Sequence, residues 1–390
     1  MKVLFLPAWY PHRRDAMCGL FVRKHAQAAS RHADVHVLYI QSEPGLERTC
    51  YEELRSGQVT EHYVYYPAAN RGGKFLRLWR YGRAYAAGLQ RVFGQWRPDV
   101  VHVQVLTRNA VAAYWLKLRY GIPYAVTEHW TRYMLGHFTG WWHRRLTAFV
   151  VKHSAAVMPV SEALGADMRR CGLHHPNYLV VRNVVDDFFF AEAPRPMPAG
   201  EGAAGGTPRK RFVHVCCFAE AQKNNFGLLR VLKRLGERRS DFVCYMVGGG
   251  RDWAATRAYA DSLGLRDEVV FTGEVTPLEV HTQLAGAAFS VFFSRYETAS
   301  VVVAESLSAG KPVVCTSIPA IAEIMDDHTG RMVPVEDEAA LLETLEWMLD
   351  HADAFDGAAM QRKARRLFSA ETVGKQFDEI YRGMAAVRRP

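Results

Sequence analysis

Between residues 294 and 314 the chain reads Ser294-Arg-Tyr-Glu297-Thr-Ala-Ser300-Val301-Val-Val-Ala-Glu305-Ser-Leu-Ser-Ala-Gly310-Lys-Pro312-Val-Val. An apolar run at 289–293 feeds a short polar loop and then a helical pattern, with Ser300 placed as N-cap and Val301 opening the helix. The first N–H groups of a helix have no intrahelical acceptor, and with the helix dipole they make a good phosphate site. Two carboxylates beside a phosphate are unfavourable unless they have another task. Carboxylates accept paired hydrogen bonds from hydroxyls, so Glu297 in the loop and Glu305 in the helix suit a polyol such as a sugar or ribose. A helix end for diphosphate, flanked by two hydroxyl-gripping carboxylates, describes a nucleotide-sugar site. An isolated E-x7-E is usually two solvated glutamates; the surrounding segment reverses that reading.

The elements that must carry this segment alternate. Lys2–Leu6 reads as a strand, then a loop holding Gly19 and a helix over Leu20–Ala29. Strands follow at Val35–Ile40, Val100–Val105, Tyr124–Thr127 and Ala155–Val160, with helices at 74–96 and Val111–Arg119. Residues 191–211 break the pattern with four Pro and four Gly and read as a linker. The alternation then restarts, with strands at Phe212–Cys217, Phe242–Val247, Val269–Thr272, Phe289–Phe293 and Pro312–Cys315. Helices lie between them and after, at Glu338–Asp350 and Ala370–Met384. Strands alternating with helices predict α/β architecture, parallel sheets covered on both faces, and two doubly wound domains facing across a cleft. Their bounds are 1–190, a linker at 191–211, 212–369, and a closing helix at 370–390. Gly200-Glu-Gly202-Ala-Ala-Gly205 satisfies the dinucleotide spacing but follows no strand and opens no helix, so it is part of the linker.

At 390 residues with 49% apolar and 23% charged residues, collagen, miniprotein and disordered classes are excluded. Residues 1–190 carry 25 Lys and Arg against 13 Asp and Glu, the remainder 24 against 27. A basic half commonly faces something anionic: phosphate-bearing ligands, an acidic membrane surface or nucleic acid. Seven cysteines without C-x-x-C or zinc-like spacing point to a reducing compartment and no structural metal. With no signal peptide or membrane-length apolar run, the expected location is the cytoplasm, at the inner membrane face if lipid is bound.

The E-x7-E segment resembles the donor-site signature of the family 4 glycosyltransferases, retaining enzymes of the GT-B fold. Six further stretches resemble that family in its order, spread over almost the whole chain. They are the Gly19-Leu-Phe-Val loop, Thr127-Glu-His129, Val160-Ser161 with Gly172, Arg182-Asn183-Val-Val-Asp186-Asp-Phe188, Gln222-Lys223-Asn224, and Val247-Gly248-Gly249-Gly250 with Val270-Phe271-Thr272-Gly273. The resemblance implies that Glu297 contacts the donor sugar and Glu305 the ribose. It implies that Lys223 neutralises the diphosphate, Gly19 and Gly249 let backbone approach the donor beside Ser300 and Val301, and His129 lies beside the transferred sugar. It further implies that the last helix crosses back onto the first domain. The family's Arg five residues before the Lys is replaced by Phe218, with Cys217 beside it. Arg13, Arg14, Arg23 and Arg295 are the candidate replacements, and the sequence leaves all four open.

Two stretches bear on the acceptor. Phe75, Leu78, Trp79, Ala86, Leu89, Phe93 and Trp96 recur at helical spacing and are read as packing against the sheet. Phe138-Thr-Gly-Trp141-Trp142-His-Arg144-Arg145 joins aromatics to cations and suits a membrane interface or a sugar-stacking platform. The reading is a transferase moving a sugar from a UDP- or GDP-sugar to a glycan or lipid-linked hydroxyl, in surface polysaccharide synthesis. It uses no cofactor and, with no D-x-D triplet, no metal. The alternatives are a nucleotide-sugar 2-epimerase of the same fold and a non-catalytic binder of anionic polymers; no nucleic-acid recognition motif is present.

Overall fold

The computed structural model describes residues 1–68, 73–191 and 209–386. Most of the expected linker, including Gly200–Gly205, lies outside the described residues. Contacts divide the chain into two compact units: Met1–Val184 with Ala370–Pro390, and Val185–Ser369.

The first unit is built on a seven-stranded sheet. Its strands are β1 (Lys2–Pro7), β2 (Asp34–Glu43), β3 (Cys50–Ser56), β4 (Val59–Pro67), β5 (Val100–Gln104), β6 (Tyr124–Glu128) and β7 (Ala156–Pro159). They lie in the order β3-β4-β2-β1-β5-β6-β7. Central β1 pairs Val3 with Val35 on one side and with Val100 on the other. Burial on both faces explains why β1 is an unbroken apolar run. The chain turns one way from β1 into β2 and the other way towards β5. The loop after β1 therefore sits at a reversal of strand order, where doubly wound sheets bind ligands. The final helix, Ala370–Ala386, belongs to this unit and buries Phe377 and Tyr381 among β1, β5 and the helix Leu20–Ala29.

The wholly parallel sheet expected here is corrected by β3 and β4, an antiparallel hairpin turning at Gly57, whose φ is +62°. Glu52, Glu53 and Arg55 charge this edge strand, which discourages further pairing and also conceals the strand from an apolar-run search. The stripe on helix Lys74–Gln95 is corrected as well. Tyr85, Leu89 and Val92 are buried, but Phe75 is 90% and Trp79 56% exposed, so only the later turns of the helix pack the stripe into the core. Helix Trp141–Lys152 was read only as an aromatic and basic stretch.

The second unit holds six parallel strands: β8 (Lys210–Val215), β9 (Phe242–Val247), β10 (Val269–Gly273), β11 (Phe289–Phe292), β12 (Val313–Thr316) and β13 (Gly330–Val333). Their order is β10-β9-β8-β11-β12-β13, so the strand order reverses between β8 and β11. The carboxyl ends of these two strands frame the expected ligand crevice of this unit. Strand β13 and helix Gly357–Phe368 were not anticipated: β13 has four residues, and the helix spends five of its twelve residues on charge and glutamine.

Candidate active site

Two loops meet at the β8–β11 reversal. After β8, the chain passes Cys216–Ala219 into a single helical turn, Glu220–Lys223, then a left-handed Asn224 (φ 52°) that redirects it into helix Asn225–Gly236. After β11, Ser294–Ser300 leads into helix Val301–Ser308. The turn places Lys223 Nζ 2.5 Å from Glu297 Oε1, with the two side chains 11% and 8% exposed. Ser294 Oγ donates to the same carboxylate oxygen at 2.9 Å, and Gln222 Nε2 to the other at 3.4 Å. Burial works against the Lys223 ammonium, but attraction and hydrogen bonding from Glu297 outweigh it and hold its pKa above the usual lysine value.

Arg295 fastens the two loops. Its guanidinium donates to the Glu220 carbonyl, Asn224 Oδ1 and Glu336 Oε1, each at 2.6 Å. It is thereby committed as a clamp, which removes it from the candidates for the missing phosphate cation. Arg13 is paired with Glu43 and Glu52, and Arg23 with Glu61. Among the described residues the Arg14 guanidinium has no such pairing. Phe218 is fully buried with φ +38° and packs near Phe271, so its position presents no side chain to the crevice.

Ser300 precedes the helix as expected, but its hydroxyl makes no capping bond, a correction to the N-cap reading. The first-turn N–H groups of Val301 and its neighbours therefore get no acceptor from it. Glu305 lies buried about one turn into the same helix, eight residues after Glu297 in the loop. The Gly248–Gly250 turn presses on the exit of β8. A Cβ on Gly248 would run into the Cys216 carbonyl oxygen, one on Gly250 into that of Cys217, and one on Gly249 into the Glu274 side chain. With φ of +123° and +139°, Gly248 and Gly250 admit no other residue without strain.

In the first unit the loops after β1 and β6 converge. Gly19 (φ +61°) starts helix Leu20–Ala29 with its α-carbon against Trp9, where a Cβ would come within 2.5 Å of the carbonyl. The next turn sets Phe21 against the His129 ring at 4.5 Å, while Trp9 meets Trp130 at 5.1 Å. His129 Nε2 bonds Gln104 Oε1 at 2.9 Å, and Gln104 also adjoins His102 and His25. His102 is held by Tyr381 Oη and Thr127 Oγ1, both at 2.6 Å. Burial, then the neighbouring histidines, keeps His129 far below the usual imidazole pKa, so it is a neutral hydrogen-bonding ring and not a cation. Glu128 receives N–H bonds from Leu106, His129 and Trp130 at 3.0, 2.8 and 3.0 Å, which fixes the loop bearing His129. Burial nevertheless raises its pKa.

The structure thus joins Lys223, Glu297, Ser300 and Glu305 at one sheet end and Gly19 with His129 at another. Sequence reasoning missed Ser294, Gln222 and Arg295 as supports, and Gln104 and Glu128 behind His129. For Gln104, Glu128 and Ser294 the signal was polarity at or just past the carboxyl ends of otherwise apolar strands. Among the described residues, no group of three or more His, Cys, Asp or Glu is placed to hold a metal ion.

Two α/β units, each on a mainly parallel sheet with polar groups gathered at its strand-order reversal, are the GT-B glycosyltransferase architecture. Sucrose-phosphate synthase from Thermosynechococcus elongatus has the same fold, with a TM-score of 0.75 at 15% identity, covering 99% of this chain and 100% of that one. The Anabaena protein HepE in complex with UDP-glucose aligns with a TM-score of 0.73 at 15% identity, covering 98% and 100%. The glycosyl transferase 4-like domain matches residues 22–184 and the glycosyl transferases group 1 domain residues 209–351. The glycogen synthase of Mycobacterium tuberculosis (strain ATCC 25618 / H37Rv) is 27% identical over 309 residues, 73% of this chain and 69% of its own. The chain belongs to the family 4 glycosyltransferases and is a glycosyltransferase.

Proposed function

We propose that the protein transfers a sugar, with retention of anomeric configuration, from a nucleoside-diphosphate sugar to a hydroxyl of a glycan or lipid-linked acceptor in surface polysaccharide synthesis. The observation that carries this is the buried Lys223–Glu297 pair beside the open end of helix Val301–Ser308. Breaking the anomeric C–O bond sends its electron pair to the departing diphosphate. An ammonium has three donors, and Glu297 occupies one, leaving others for phosphate oxygens. Held rigid before the donor arrives, each such group contributes about 3 kcal/mol of barrier lowering. The acceptor hydroxyl attacks the face the diphosphate leaves, and its proton passes to the leaving oxygen, so Glu297 is given no general-base role. Glu297 and His129 contact the sugar, Glu305 the ribose, and Gly249 lines the backbone approach. The UDP-glucose bound by the HepE relative supports a nucleoside-diphosphate donor.

In this reading protein groups replace a divalent ion, no cofactor is resident, and the enzyme works in the cytoplasm against the anionic inner membrane face. Among the described residues no helix is long and apolar enough to cross a membrane. A melting-temperature panel of UDP-, GDP- and ADP-sugars on wild type and Glu305→Ala tests the donor site. One nucleotide class should stabilise the wild type and far less the variant; equal shifts in both remove Glu305 from the site. The anomeric configuration of the product, read by NMR, decides retention.

A further inference from the structure

We infer that a cavity in the first unit, walled by helices Lys74–Gln95, Asn109–Tyr120 and Trp141–Lys152, holds the hydrocarbon chain of an anionic membrane lipid. The cavity measures about 1530 Å³, above the roughly 300–1,000 Å³ of small-molecule pockets. Leu78, Leu89, Phe93, Val111 and Leu146 supply apolar walls. Tyr85, itself 5% exposed, contributes its ring to the wall, while its phenol oxygen is buried behind it without a hydrogen-bond partner among the described residues. Arg108 lines it beside Tyr81, 5.8 Å from the ring. An apolar slot lined also by Arg77, Arg80 and Arg108 matches an amphiphile with a long chain and a phosphate head.

The rim points the same way. Phe75, Trp79, Trp115, Leu118 and Trp142 are 90, 56, 49, 68 and 77% exposed on these three helices. Exposed Trp among Arg is the composition of surfaces that sit in lipid headgroups. From residue 62 to 161 the sequence holds fourteen Lys and Arg but only Asp99 and Glu128 as acids. A second copy of the same face would oppose cation to cation, whereas an anionic bilayer complements it. Arg132 links cavity to site: it bonds His143, a lining residue, at 2.8 Å, and also the Leu106 carbonyl next to the Glu128 anchor. The inference rests on the membrane-facing part of the proposed function and not on its donor site.

The test incubates the full chain with phosphatidylcholine vesicles with or without phosphatidylglycerol, repurifies it by gel filtration, and counts retained lipid by native mass spectrometry. Wild type should carry one phosphatidylglycerol and no phosphatidylcholine. Ala112→Phe, which fills the cavity from a partly exposed wall, and Val111→Glu, which charges it, should each lose the lipid while melting normally with the stabilising nucleotide sugar. Wild type emerging lipid-free, both variants keeping the lipid, or equal retention of phosphatidylcholine each overturns the inference. So does a lipid-excluding dimer in sedimentation. Failure of sugar-nucleotide binding with lipid retained would instead sink the donor reading and leave the cavity assignment standing.

Discussion

Replacing Lys223 by Met removes the ammonium but keeps a flexible chain, and two consequences separate. The first is thermodynamic. With Lys223 gone, the Glu297 carboxylate, 8% exposed, keeps only Ser294 and Gln222 as donors. Removing one partner of a buried pair costs about 3–5 kcal/mol. The remaining donors place this case near the lower end, a fall of roughly 6–12 °C in Tm for a unit of this size. The second is kinetic. Losing a positioned cation opposite the leaving diphosphate raises the barrier by about 3 kcal/mol, roughly 150-fold in kcat. Lys223→Met/Glu297→Gln separates the two, because neutralising the orphaned carboxylate recovers most of the Tm and none of the rate. The pair raises the Lys223 pKa, so its stabilisation is complete below the ordinary lysine value of about 10.4 and fades only as pH climbs through the raised one. The Tm gap should therefore be level across neutral pH. Melting curves and nucleoside diphosphate release read both effects; a single variant with wild-type Tm and turnover refutes the reasoning.

Gly250→Ala forces a methyl into the Cys217 carbonyl at a φ only glycine tolerates, so it should lower the Tm and weaken donor stabilisation together; stabilisation unchanged by the substitution would detach the turn from the site. The buried imidazoles make the first unit acid-labile. Burial pulls His25 down to about 4, so between the unfolded value of about 6.5 and that point the unfolded chain binds the extra proton. Stability should fall with pH over this window by up to about 3 kcal/mol for this residue, and His25→Gln should flatten the slope in pH-dependent denaturant melts. Turnover should survive chelation by EDTA; its loss, restored by a divalent ion, would end the metal-free reading.

The Glu297–Glu305 segment was legible because its chemistry is local: a strand, a polar loop and a helix within a short stretch. The central strands were legible because burial on both faces writes itself as unbroken apolar sequence, as in β1 and β9. The hairpin of β3 and β4 was not, since Glu52, Glu53 and Arg55 follow edge exposure and give no apolar period. Nor was the role of Arg295, a residue beside Glu297 that on paper is as good a phosphate ligand as any and in the fold is occupied by three acceptors.

What the sequence determined by itself is the alternation of elements, and with it the sheet ends where chemistry collects, because periodicity and chain order are properties of neighbours along the chain. What only tertiary structure decided is which side chain faces which. Lys223 and Glu297 stand 74 residues apart yet share a proton-bearing contact, and Tyr381 reaches across 279 residues to steady His102. Such pairings arise from strand order and helix return, and a linear pattern holds no record of the distances they create.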